Sequence, residues 1–199
     1  MNLKENLYIE NPVNPLKDFE RISEVLLNSS VLKVGSKSFR ICAIEFYYKQ
    51  ADHMDNAAHA HKRQLTCGAW YFHGSGLDIT FGDETEYGGI LIQAIQNVEE
   101  PRIFTAGPLK CVTALFEAFG SASNHRLTFG LEEYRHEHEK IIAAPRVGLN
   151  EVTVGDHFSK GYRFIIMPKE PHIRKGDIVK YLVDSKLMTE EQAKKEIYK

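Results

Sequence analysis

The sequence predicts an α+β domain, and three observations carry that prediction. Amphipathic helix patterns stand at residues 14–28 and at "GPLKCVTALFEAFG". Short apolar strand patterns cluster between and after them. The two kinds do not alternate as a doubly wound sheet requires. A chain of 199 residues, 43% hydrophobic and 26% charged, supplies one sizeable core rather than two. The expected division is one domain over residues 1–175, with residues 176–199 as a helical tail packed on it.

Taken in order, "NPLKDFERISEVLLN" reads as the first helix. Pro15 sits near its start, Asp18 and Glu20 favour its N-terminal dipole, and Leu16, Phe19, Ile22, Val25 and Leu26 share a face. Ser29 and Ser30 break it, and "VLKVGSKSFRICAIEFYY" follows as two strands around a Gly35-Ser36 turn. Residues 49–63 are polar and histidine-rich, hence a loop or short helix. Trp70 to Phe72 and Leu77 to Phe81 read as short strands with Gly74 and Gly76 between them. Asp83 to Glu86 make an acidic turn, and Ile90 to Ile95 form a buried strand. The next helix has Pro108 in its first turn, a Cys111, Leu115 and Phe119 stripe, and Gly120 at its end. "LEEYRHEHEKIIAAPRVGL" is polar and then apolar, and "YRFIIMPK" is a final strand. The tail suggests two short helices, the second capped by Thr189 with Gln192 three residues on.

Composition excludes some classes. No run approaches the roughly 18 apolar residues of a membrane span, and "MNLKENLYIENP" lacks the order of a signal peptide. Cys42, Cys67 and Cys111 are odd in number and widely spaced, which argues for a reducing compartment, the cytoplasm by default. The net charge of −2 announces no nucleic-acid binder. Seven basic residues, Arg135, Arg146, Lys160, Arg163, Lys169, Arg174 and Lys175, gather in the C-terminal third and read first as solvated surface.

Glu45 interrupts the apolar run Ile41–Ile44 and precedes Phe46, Tyr47 and Tyr48. Two readings are open. Glu45 faces solvent on an edge strand, or it is a carboxylate held among aromatics, where burial raises its pKa and suits it to act as a base. His53, His59, His61, Cys67 and His73 bring zinc-type ligands close in sequence. Their spacing matches neither HExxH nor CxxC nor the zinc-deaminase pattern, so no metal is expected. No serine sits in a GxSxG elbow, and no cysteine is paired locally with histidine.

The order of motifs resembles the alkyladenine (3-methyladenine) DNA glycosylase family. "RICAIEFYYKQADHMDNAAH" is similar to the family's strand bearing a glutamate, one intervening residue, a tyrosine and a loop ending in Ala-Ala-His. "GGILIQAIQ", "AGPLKCVTAL", "APRVGL" and "GYRFIIMPK" follow in the family's order, so the resemblance covers roughly residues 20–170. It implies a mostly antiparallel, strongly curved sheet, a partial barrel with flanking helices. It implies a monofunctional glycosylase that hydrolyses the N-glycosidic bond of alkylated or deaminated purines in damaged duplex DNA, without cofactor or metal, as a monomer. Carried over, Glu45 activates the attacking water, Tyr47 and His59 stack on the flipped base, and Asp78 sits on the pocket wall.

Three departures accompany the resemblance. The loop from Glu45 to His59 is longer than the family's, so His61 could take the histidine's place. The family's long aromatic hairpin, which wedges into the duplex, finds only "LDITFGDETEYGG". Phe81 and Tyr87 are the wedge candidates there, beside Asp83, Glu84 and Glu86, whose charges would repel phosphates. The strand arginine that helps hold the attacking water matches Gln93. Arg146 is the remaining candidate for a DNA contact. The rival expectation is a pocket for a free nucleobase or nucleoside, a small purine ligand held without duplex DNA. A metal-dependent enzyme built on the histidines is the distant third.

Overall fold

The computed structural model describes residues 3–123 and 126–198. A short helix α1 (Leu3–Asn6) leads to α2 (Leu16–Asn28), which begins directly after Pro15. Asp18 in its first turn accepts from the Glu10 and Asn11 amides and so ties the N-terminal arm to the helix. The face of α2 carrying Phe19, Ile22, Leu26 and Leu27 is fully buried. Strand β1 (Ser30–Val34) then turns through Gly35 into β2 (Lys37–Gln50). Gly35 has φ +58°, and a Cβ there would stand 2.9 Å from the Ala118 carbonyl, so the turn needs glycine twice over.

β2 organises everything that follows. After β3 (His53–Met54), the chain forms β4 (Trp70–His73), β5 (Gly76–Thr80), β6 (Tyr87–Asn97) and β7 (Phe104–Ala106), then helix α3 (Pro108–Glu117). β8 (Phe129–Glu133), β9 (Ile142–Ala144), the short α4 (Glu151–Val154), β10 (Arg163–Ile165), α5 (Lys175–Asp184) and α6 (Glu190–Ile197) complete it. All pairings are antiparallel, with the main order β4-β5-β6-β2-β1-β8. One edge of β2 pairs with β6 over almost its whole length. The other edge is shared by β1, β10 and β3 in turn. The register of β2 on β6 shifts on either side of Ala43, leaving Cys42 and Gln93 without direct partners. Such bulges bend a sheet and re-aim side chains, and here the sheet curls into a half-barrel.

The strand period of two gives β2 two different faces. Ile44, Phe46 and Tyr48 point into the core, where the Phe46 ring stacks on Phe19 at 4.3 Å. Glu45 and Tyr47 point the other way. The tail is part of the core too, since Ile178 and Leu182 of α5 and Ala193 and Ile197 of α6 belong to the central apolar cluster. Among the described residues, no helix is long and apolar enough to cross a membrane.

Several elements differ from the sequence reading. β8 runs into the start of the polar stretch and was not expected. It exists because Phe129 to Glu133 extend the sheet edge beyond β1. Tertiary pairing, rather than an apolar pattern, decides such an edge strand. The histidine-rich loop contains β3 and one 3-10 turn at Lys62–Leu65, capped by His61. Arg146 and Arg163, expected on a solvated surface, are 4% and 1% exposed.

Candidate active site

Across the curved sheet, Asp78 of β5, Leu91 of β6, Glu45 of β2 and Arg163 of β10 stand in one row of register partners. Partners directly opposite in antiparallel strands share a face, so this row lies on the side from which Glu45 and Tyr47 project. Glu45 is fully buried, which settles the choice between solvent-facing and enclosed. Its Oε2 accepts from the Tyr47 hydroxyl at 2.8 Å, and its Oε1 accepts from the Val147 amide at 2.8 Å. Burial pushes its pKa above the ordinary glutamate value. The Val147 and Tyr47 hydrogen bonds, the Arg163 guanidinium and the Gln93 amide pull the other way. A carboxylate held this way remains basic while its charge is still supported.

Arg163 is the cation of the row. Its Nη2 donates to the Ile173 carbonyl at 3.1 Å, while Nε and Nη1 have no protein partner. Burial lowers its pKa, and the nearby Glu45 charge raises it. Gln93 and Arg163 both act on Glu45, the guanidinium from the strand that pairs with β2 opposite β6. The sequence signal was present: an arginine in the otherwise apolar strand "YRFII".

The opposite wall is built around Asp78, which is 2% exposed. His73 Nε2 lies 3.0 Å from its Oδ1, and Gln64 Nε2 donates to its Oδ2 at 3.3 Å. His73 Nδ1 accepts from the Ser75 amide, which leaves Nε2 as the protonated nitrogen that donates to Asp78. The Gln64 amide is oriented likewise, because its Oε1 accepts from the His61 amide. Gly89 makes this packing possible. A Cβ there would stand 2.5 Å from Gln64 Nε2 and 2.6 Å from Asp78 Oδ2. The His59 ring meets the His73 ring edge-on at 4.5 Å, and burial followed by the neighbouring His73 lowers the His59 pKa.

Between these walls lies a cavity of about 300 Å³, at the lower end of the range typical of small-molecule sites. Tyr47, His59, Asp78 and Gln93 line it together with His73, Gln64, Pro108 and the Val147-Gly148-Leu149 segment. Glu45 joins the same cluster through Tyr47 and Val147, both lining residues. His61 is not a lining residue. It stacks on Tyr71 at 4.7 Å with nearly parallel rings and caps the 3-10 turn. His59 is therefore the histidine of the Ala-Ala-His loop that reaches the cavity, despite the loop's length.

The residues expected to meet DNA fall elsewhere. Phe81 is 5% exposed and packs against Phe19, Phe46 and Tyr48, so it offers no face to a duplex. Tyr87 is half-buried at the start of β6. The acidic turn between them closes on itself: Asp83 accepts from the Thr85 and Glu86 amides, and Tyr48 donates to Glu86 at 2.5 Å. Arg146 makes a bidentate ion pair with the fully buried Asp55, at 2.5 and 3.0 Å, and its guanidinium lies 4.7 Å from the Tyr47 ring centroid. It supports the site from behind and cannot grip a phosphate. The hairpin at the cavity is β4–β5, whose turn residue Ser75 is a lining residue, whereas the acidic turn leaves the opposite end of β5. Among the described residues, no group of three or more His, Cys, Asp or Glu side chains is placed to hold a metal ion.

The arrangement can enclose a flat polar molecule between rings, with a basic carboxylate at one side and a hydrogen-bonding wall at the other. No family model matches the chain. The chain is similar to an uncharacterized protein of Acanthamoeba polyphaga mimivirus, 26% identical over an alignment 195 positions long that covers 79% of this chain and 89% of the viral protein.

Proposed function

We propose that the protein hydrolyses the N-glycosidic bond of a purine nucleotide, with Glu45 as the general base. One observation carries the reading: a fully buried glutamate, its pKa raised by burial, adjoins a cavity of purine-compatible size lined by Tyr47 and His59. In the reaction, Glu45 takes a proton from water as the water oxygen bonds to the sugar carbon. The carbon–nitrogen bond breaks, and its electron pair leaves with the base. Arg163 supports the ionised carboxylate, and the base stacks on the Tyr47 face opposite Arg146, with His59 closing over it.

The collinear motifs from Arg40 to Lys169 support a glycosylase acting on alkylated or deaminated purines in DNA, in a reducing, cytoplasmic setting. A second reading, hydrolysis or binding of a free nucleoside, is favoured by the rim. The hairpin at the cavity turns at Gly74-Ser75 without an aromatic at its tip, and Phe81 and Arg146 are buried. The test is parallel incubation with duplexes carrying hypoxanthine or alkylated adenine, scored for abasic sites, and with the matching nucleosides, scored for free base. Abasic sites support the DNA enzyme, and free base from nucleosides alone supports the second reading. Neither product removes hydrolysis.

A further inference from the structure

The polar groups around the cavity are unequal in kind. Four donors are already committed. Tyr47 O–H and the Val147 amide serve Glu45, while Gln64 Nε2 and His73 Nε2–H serve Asp78. The acceptors are not. Gln93, 3% exposed and a lining residue, has an Oε1 with no protein partner. Its amide orientation follows from its neighbour, since only the NH2 end can stabilise the Glu45 carboxylate. Asp78 is an acceptor through both oxygens, and each receives one protein donor while having room for another. A buried amide oxygen without a donor is costly, so a ligand that supplies the donor is preferred over one that does not.

We propose that this cavity selects purines by an exocyclic amino group, whose two N–H bonds go to Gln93 Oε1 and the Asp78 carboxylate. The inference rests on the purine reading above and narrows it. A ring carbonyl in the amine's place brings an acceptor against two acceptors, Gln93 Oε1 and the Asp78 carboxylate. A deaminated base such as hypoxanthine is therefore the poorer ligand, and a base carrying –NH2 at C6 or C2 is the better one.

Binding of four ribonucleosides to the full-length protein tests this: unsubstituted purine riboside, adenosine, 2-aminopurine riboside and inosine, each titrated calorimetrically. At least one amino purine should bind about 10-fold or more tighter than purine riboside, and inosine should bind no better than purine riboside. Which amino purine gains locates the amine at C6 or C2. In Gln93→Met the gain should shrink towards unity while purine riboside still binds. The wild-type series alone decides the matter should that variant not fold. Equal affinity of amino, oxo and unsubstituted purines overturns the proposal but leaves the purine pocket standing. Absence of binding by all four overturns the proposal and the free-nucleoside reading, and abasic-site formation in duplexes then decides the purine reading separately.

Discussion

Replacing Arg146 by Met separates a buried support from a surface cation. The guanidinium is enclosed, with Nη1 donating to Asp55 Oδ2 at 2.5 Å and to the Phe46 carbonyl at 3.0 Å. Nη2 donates to Asp55 Oδ1 at 3.0 Å. Asp55 in turn holds the Ala57 amide at 3.1 Å, two residues before the cavity-lining His59. Methionine fills much of the volume but leaves the Asp55 carboxylate buried without its cation, which costs about 3–5 kcal/mol. For a domain of this size the melting temperature falls by roughly 2–4 °C per kcal/mol, hence by about 6–20 °C. Thermal and urea unfolding followed by circular dichroism measure it. Adding Asp55→Asn to the variant should recover part of the loss, because both charges are then gone. A melting temperature within about 2 °C of wild type would refute the reasoning and return Arg146 to the surface role its sequence position suggested.

Three further outcomes follow from the same geometry. Glu45 must be ionised to take a proton, and burial raises its pKa above the ordinary 4.5. Base release should therefore fall as pH drops through a midpoint above 4.5, and a midpoint below that value contradicts the enclosed carboxylate. His59→Ala should weaken purine binding by about 1–3 kcal/mol while His61→Ala leaves it unchanged, read by titration; equal losses would undo the assignment of His59 to the cavity. Phe81→Ala should cost about 3–5 kcal/mol of stability in urea unfolding, whereas a duplex wedge would lose binding at constant stability.

Local signals were legible where backbone chemistry decides locally. Pro15 and Pro108 mark helix starts, Gly35 marks the hairpin turn, and Thr189 with Gln192 forms a capping box. The strand carrying Glu45 could be read from its apolar flanks, but not which face Glu45 takes. That depends on the register with β6 and β10, set by residues about 50 and 120 positions away. The same long-range register brings Arg163, which looked like one of seven surface cations, beside Glu45. His73 and Gln64 were invisible as a pair, since only the β4–β5 hairpin and the capped turn after His61 bring them to Asp78. Phe81 and Arg146 misled for a related reason: aromatic and basic residues suit a DNA surface and a core equally well, and burial alone tells them apart.

The central claim is that Glu45 breaks a glycosidic bond. Single-turnover base release by wild type and Glu45→Gln, on whichever of the duplex or nucleoside substrates wild type cleaves, tests it most directly. Glutamine keeps the shape and the hydrogen bond from Val147 but cannot take a proton, so the rate should fall by about 10²–10⁴-fold with purine affinity retained. A Glu45→Gln rate within twofold of wild type, or a wild type that binds purines yet releases no base from either substrate class, would contradict the account.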